Sequence, residues 1–205
     1  MIKTKKELLF FIQADRMMNR GCFEYSLRDR IRNMIFSDSI MDFLVHMRKV
    51  EYYSCRKGIV SNILSCYHRM MQRKLGFKLG FNIASNVFGY GLVIPHYGTI
   101  VVGGGNCIGN YAVLHTSTCI TNGNKIIGDG LYVSTGAKLT TMERLGNNVT
   151  IAANSVVTKS CDKSNVLLVG MPAVIKKNQI SWYEANMRYR ERAIAIEQQK
   201  IRMLK

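Results

Sequence analysis

Residues 127–157 read IGDGLYVSTGAKLTTMERLGNNVTIAANSVV. An aliphatic residue returns at every sixth position of this stretch. Side chains repeat about every 3.6 residues along one face of a helix and about every 2 along one face of a strand, so neither element explains a period of six. Such a period is typical of a β-solenoid, in which each flat face of a coil directs one aliphatic side chain inward. The positions are Ile127, Val133, Leu139, Leu145, Ile151 and Val157.

A second frame with the same period precedes the first. The phase slips by one residue between Ile120 and Ile127, which predicts a loop at Asn122–Lys125. Three faces make a triangular coil of about 18 residues, and stacked coils bury the aliphatic column that no coil buries alone. We therefore expect a solenoid domain over residues 81–178. The second frame consists of Val102, Ile108, Leu114 and Ile120.

Residues 1–80 predict a helical domain that precedes the solenoid. Thr4 and Glu7 form a capping-box pattern, and Gly21 would end the helix that they begin. The other predicted helices are 27–35, a third that Ser37, Asp38 or Ser39 caps, and a fourth over 59–75 with Gly76 as its C-cap.

Residues 179–205 predict a C-terminal helix. Ser181 and Glu184 repeat the capping-box pattern at its start. An apolar stripe interrupted by arginines would pack on the solenoid or on a neighbouring subunit, and the sequence leaves both open.

The composition places the chain among globular proteins. Of its 205 residues, 47% are hydrophobic and 20% are charged, and no apolar run reaches the ~20 residues that span a bilayer. The six cysteines are scattered without CxxC spacing, which favours neither a zinc site nor a disulfide framework. With no convincing signal peptide, the expected location is the cytoplasm.

The net charge of +16 suggests an anionic partner. Candidates are nucleic acid, an acidic membrane face, an acidic polymer and a phosphorylated cofactor. No known nucleic-acid-binding motif is present, so nucleic acid is not expected, whereas peripheral membrane contact stays open.

One histidine, His96, lies in the apolar and Gly-rich run VIPHYGTIVVGGG, residues 93–105. A lone histidine in such a run is more often structural than catalytic. Together with STGAKL at 134–139, AANSVV at 152–157 and GMPA at 170–173, however, the motif HYGTIVVG resembles the hexapeptide-repeat acetyltransferases. The chain looks closest to their serine acetyltransferase branch, which also contains enzymes that acetylate sugars of surface polysaccharides.

This resemblance implies a mainly β fold, a left-handed parallel β-helix that an N-terminal helical domain and a C-terminal helix flank. It also implies a homotrimer, or a dimer of trimers, with acetyl-CoA in the groove between subunits and no metal. His96 would be the general base, because an imidazole with a pKa near ~6.5 takes a proton readily at neutral pH. The expected contacts of the coenzyme are the backbone of Gly136, Ala137 and Ala153 and the side chains of Lys159, Lys176 and Lys177.

Three departures from the serine acetyltransferase pattern bear on the acceptor. Pro95 stands where that branch has an aspartate before the histidine, and Asn82 is the residue nearest to the aspartate that orients the imidazole. The loop at 122–124 lacks the Arg-His pair that helps to hold the amino acid. We therefore expect a neutral acceptor such as a sugar, with Tyr97, His115 and Asn124 as its contacts. The alternatives are a true serine O-acetyltransferase of cysteine biosynthesis and a non-catalytic trimeric scaffold.

Overall fold

The computed structural model describes residues 2–205, which form five α-helices and thirteen β-strands. Four helices come first, the strands follow, and one helix ends the chain. The helices are α1 (Lys5–Arg20), α2 (Leu27–Ile35), α3 (Ser39–Tyr53), α4 (Ile59–Leu79) and α5 (Met187–Leu204). None of these helices is both long and apolar enough to cross a membrane.

The strands form three sheets that are the three faces of a solenoid. Face 1 contains β1 (Phe81–Ile83), β2 (Ile100–Val102), β5 (Thr118–Ile120), β8 (Lys138–Leu139) and β11 (Val156–Val157). Face 2 contains β3 (Cys107–Ile108), β6 (Ile126–Ile127) and β9 (Arg144–Leu145). Face 3 contains β4 (Val113–Leu114), β7 (Tyr132–Val133), β10 (Val149–Ile151), β12 (Val166–Gly170) and β13 (Ala173–Asn178).

Successive coils stack in parallel register. On face 1, Ile100 pairs with Phe81 and with Thr118, so that one coil takes 19 residues and the next takes 18. All ten aliphatic positions of the two sequence frames point inward and are at most 4% exposed. The predicted left-handed β-helix is thus confirmed, with about five turns.

The loop that the phase slip predicts is present between β5 and β6. The buried amide of Asn106 donates to the carbonyls of Gly103 and Thr121, at 2.9 and 3.0 Å. Its oxygen accepts from the backbone N–H of Lys125 at 3.3 Å. One side chain therefore holds both ends of the loop, which gives the extra residue a fixed place outside the strands.

The helical region largely follows the sequence. Both hydrogen bonds of the Thr4–Glu7 capping box form, α2 has the predicted bounds, and Asp38 caps α3. The end predicted for the fourth helix is wrong, because α4 continues to Leu79 and Gly80 is its left-handed C-cap. Gly76 is small for another reason, since a Cβ there would lie 2.6 Å from the carbonyl oxygen of Phe81.

A buried ion cluster joins the helices to the first coil. The Arg48 guanidinium of α3 donates to Asp15 of α1 at 2.8 and 3.2 Å and to Glu51 at 3.0 Å. It also donates to the carbonyls of Phe88 and Gly89. Burial alone would lower the pKa of Arg48, but the two carboxylates more than offset this and raise it.

The C-terminal segment packs on its own chain. Strand β13 runs antiparallel to β12 and closes face 3. The predicted helix start is wrong, because Ser181 and Glu184 form a turn and α5 begins at Met187 with Asn186 as its N-cap. Helix α5 contacts α1 and the solenoid, where Glu197 accepts from the hydroxyls of Tyr90 and Tyr111, at 2.7 and 2.5 Å.

Candidate active site at one edge of the solenoid

Four turns line the edge where face 3 of one coil passes into face 1 of the next. We call this the histidine edge; it comprises residues 95–99, 115–117, 134–136 and 152–154, one turn from each of four successive coils. Backbone hydrogen bonds join the last three turns, from Gly136 N–H to Thr116 O at 3.1 Å and from Asn154 N–H to Thr135 O at 3.0 Å. The first turn is held to the second by the parallel pairs on either side of it, Val93 with Val113 and Ile100 with Thr118. The edge is therefore a continuous row of outward-facing positions on a rigid frame.

His96 is exposed in the first of these turns. The turn is anchored on both sides, because Ile94 N–H donates to the Asn19 side chain at 3.2 Å and Gly98 N–H donates to Leu79 O at 2.8 Å. Gly98 has φ 136°, which a residue with a side chain rarely adopts. The fold thus presents the imidazole of His96 to solvent from a fixed backbone.

His115 lies in the next turn of the same edge. Its Nε2 is 2.7 Å from the hydroxyl oxygen of Tyr132. Partial burial, and then the nearby imidazole of His96, lower the pKa of His115. The two histidines therefore lie close enough to interact electrostatically.

Tyr132 of β7 lies beside this edge and was not predicted from the sequence. It pairs with Val113 in the parallel register of face 3, and its ring packs against His115 with centroids 5.1 Å apart. Burial raises the pKa of its hydroxyl. Tyr132 could have been predicted from the length of a coil, because it lies 19 residues after Val113 and this register places the two residues side by side on face 3.

The small residues expected to contact the coenzyme also lie on or beside the histidine edge. Gly136 has φ 75° and leaves no room for a side chain, because a Cβ there would lie 2.0 Å from Asn154 Oδ1. Ala137 is fully buried in the core, and its backbone N–H and C=O are bonded within the solenoid to Ser134 and Cys119. Ala153 is exposed two coils beyond His115.

Asn82 and Tyr97 lie beside the helical region. Asn82 points outward from β1 and lines a cleft of about 350 Å³ with Arg73 and Phe77. Among residues 2–205, no hydrogen bond joins Asn82 to His96. Tyr97 is exposed and lines another cleft, of about 410 Å³, with Lys78 and the start of α3.

The remaining predicted contacts lie elsewhere on the chain. Asn124 lines a cleft of about 660 Å³ at the edge between faces 1 and 2, and Lys159 follows β11 at that same edge. Lys176 and Lys177 are exposed on β13. Within one chain, these side chains therefore do not meet His96. In the described part of the chain, no group of three or more His, Cys, Asp or Glu side chains is placed to hold a metal ion.

Comparison with known proteins finds likeness in structure alone. No model of a known family and no curated protein matches the sequence. Among solved structures, the serine acetyltransferase of Neisseria gonorrhoeae is 21% identical, with a TM-score of 0.59, and the match covers 88% of this chain and 67% of that chain. The serine acetyltransferase of Brucella abortus is 18% identical, with a TM-score of 0.62, and the match covers 84% and 69%.

A third match is a serine acetyltransferase in complex with CoA. It is 18% identical, with a TM-score of 0.54, and the match covers 82% of this chain and 67% of that chain. All three proteins bear the name of the branch that the HYGTIVVG motif indicates. The chain described here is thus similar in fold to the serine acetyltransferases.

Proposed function

We propose that this chain is an acetyl-CoA-dependent O-acetyltransferase in which His96 is the general base. The observation that carries the proposal is the position of His96, an exposed imidazole on a rigid turn of a solenoid similar to that of serine acetyltransferases. The acceptor oxygen would attack the thioester carbonyl carbon while His96 takes the hydroxyl proton. The carbon–sulfur bond then breaks, and the proton passes to the departing CoA thiolate.

The histidine edge has features that suit both acetyl-CoA and the acceptor. One related structure holds CoA, and small residues follow the two histidines along this edge. Backbone N–H groups of the turns are the kind of fixed donor that stabilises the oxyanion of an acyl transfer. We assign Gly136, Ala137 and Ala153 to the coenzyme side of the edge, and Tyr97 and His115 to the acceptor side.

A homotrimer would complete this site. Asn124 and Lys159 lie on a different edge from His96 in the same chain. Within one chain, Asn124 and Lys159 therefore do not contact the same substrate molecule as His96. In a trimer, a neighbouring copy could place its own Asn124 and Lys159 across a groove from His96. Sedimentation equilibrium checks this arrangement, since a monomer would exclude these two residues from the site.

For the acceptor we propose a neutral hydroxyl compound, a sugar of a surface polysaccharide or its precursor. Pro95 and Asn82 carry no charge that would hold an ammonium group, and Lys125 is the only charged residue of the loop at 122–125. Its Nζ donates to Asn122 O at 3.2 Å within the loop. L-serine is the second candidate, which the names of the structural neighbours favour.

The test is thiol release from acetyl-CoA, measured separately with L-serine and with a panel of sugars and nucleotide sugars. His96→Ala should reduce the rate by roughly 10²–10⁴-fold, as expected for loss of a general base. The matched control is His46→Ala, which removes an imidazole of α3 far from the histidine edge in sequence. Release with serine alone would replace the sugar by serine, and an unimpaired His96→Ala protein would refute the mechanism. No release and no binding of acetyl-CoA would favour the scaffold.

A further inference from the structure

Helix α2 has no buried residue, although four of its nine residues are apolar. Leu27, Ile31, Met34 and Ile35 are between 55 and 86% exposed, and Phe36 directly after the helix is 72% exposed. Single exposed apolar side chains are ordinary, but a contiguous group of them marks a surface that binds something. Since α2 contributes nothing to the core, its apolar residues need an explanation outside this chain.

These side chains form one stripe. Leu27, Ile31, Met34 and Ile35 have the spacing i, i+4, i+7 and i+8, which places them on one face of a helix. At about 3.6 residues per turn, Arg28 and Arg30 fall on the two sides of this stripe. Long arginine side chains beside an apolar face can reach past it to polar headgroups. An apolar stripe with basic borders is typical of a helix that lies in the surface of a membrane.

We propose that α2 docks this protein onto the surface of an anionic lipid bilayer. Charge complementarity favours a bilayer over a second copy of the chain. Helix α2 carries three arginines and one aspartate, and Asp29 is already paired with Arg32 at 3.1 Å. A symmetric contact between two such helices would bring arginines together, whereas phosphate headgroups neutralise them.

The position of α2 relates membrane docking to the candidate active site. The chain passes from α2 directly into residues 37–40, which line the same cleft as Tyr97, the neighbour of His96. A bilayer that receives α2 would therefore lie near the acceptor side of the histidine edge. Membrane docking itself does not depend on the proposed acetyl transfer, and it can be measured without any assay of activity.

The experiment is flotation of the full chain with vesicles of two compositions, phosphatidylcholine alone and equal parts phosphatidylcholine and phosphatidylglycerol. We expect binding to the anionic vesicles that is weakened at high salt. Each basic residue near an anionic surface contributes about fivefold to affinity, so Arg28→Gln with Arg30→Gln should lose roughly 30-fold. Ile31→Ser with Met34→Ser should also weaken binding by at least about tenfold, because it removes apolar surface from the bilayer.

The matched controls lie on α5. Arg188→Gln with Arg190→Gln, and Ile201→Ser, change side chains that are also exposed and should leave binding within about twofold. Equal binding to both vesicle types, or equal losses in the α2 and α5 variants, would overturn the proposal. So would an α2 variant that changes the sedimentation coefficient of the protein without lipid, since α2 would then bind a second copy.

Discussion

Replacement of Arg48 by methionine should detach the helical region from the solenoid at a large cost in stability. Arg48 is fully buried and makes five hydrogen bonds, three to carboxylates and two to carbonyls of the first coil. Methionine fills a similar volume but leaves the carboxylates of Asp15 and Glu51 buried without a positive charge. The loss therefore exceeds the worth of the five bonds, because an unpaired buried charge is destabilising by itself.

The expected magnitude is about 3–5 kcal/mol, the usual effect of removing one partner from a buried ion pair. With a urea dependence of about 2–3 kcal/mol per M for a chain of this size, the unfolding midpoint should fall by roughly 1–2 M. Neutralising the two acids as well, by Asp15→Asn and Glu51→Gln, should recover much of this loss, since no buried charge is then left unpaired.

The assay is urea unfolding followed by circular dichroism, with Arg190→Met on the exposed side of α5 as the control.

The pH dependence of the stability difference between Arg48→Met and the original protein gives a second test. Burial already raises the pKa of Asp15, and Arg48 opposes this shift, so in Arg48→Met the folded-state pKa of Asp15 should lie further above its unfolded value of about 4. The deficit is then largest near pH 7 and shrinks as the pH falls toward about 4. A deficit below about 1 kcal/mol, or one that is constant with pH, would refute the view that the ion cluster holds the helices in place.

Three further predictions concern stability. Burial lowers the pKa of His68 to about 4, from an unfolded value near 6.5. The protein should therefore lose stability as the pH falls from about 6.5 to about 4, and His68→Gln should reduce this pH dependence in denaturation curves. Gly76→Ala should cost about 1–3 kcal/mol because its Cβ would meet Phe81 O, whereas Gly104→Ala, with its nearest contact at 3.8 Å, should be nearly neutral in the same measurement. Asn106→Ala should lower the melting temperature and admit trypsin at Lys125, because it leaves both ends of the loop without their partner; an uncleaved loop would contradict this.

The solenoid could be predicted because its interior requires aliphatic side chains at the same positions of every coil. Each coil has three flat faces of similar shape, and each face directs one aliphatic side chain inward, so the sequence shows the repeat before any contact is known. The end of α4 had no such signal. Gly76 and Gly80 stand in similar apolar surroundings, and only the approach of the Phe81 carbonyl decides which glycine lies inside the helix.

The same distinction holds for the candidate site. The closeness of His96 and His115 follows from the length of a coil, and the contact of His115 with Tyr132 follows from the register of the next one. The ion cluster at Arg48 could not be predicted from the spacing of residues along the sequence. Its partners come from α1, α3 and the backbone of the first coil, and they meet only when the helices are docked.

A regular solenoid also restricts where chemistry can evolve. Inward positions must stay aliphatic, and outward positions on face 3 are covered by the segment between β13 and α5, where Gln179 donates to Thr150 at 3.2 Å and Trp182 donates to Tyr111 O at 2.9 Å. The turns at the edges are neither restricted to aliphatic residues nor covered by another segment, since their side chains point outward from a backbone that the neighbouring coils hold. Successive coils lie about 4.8 Å apart, so outward residues of one edge form a row that an extended molecule can follow. The two histidines and the small residues after them occupy such a row, and this shared edge, more than any single residue, is the structural reason to assign the site there.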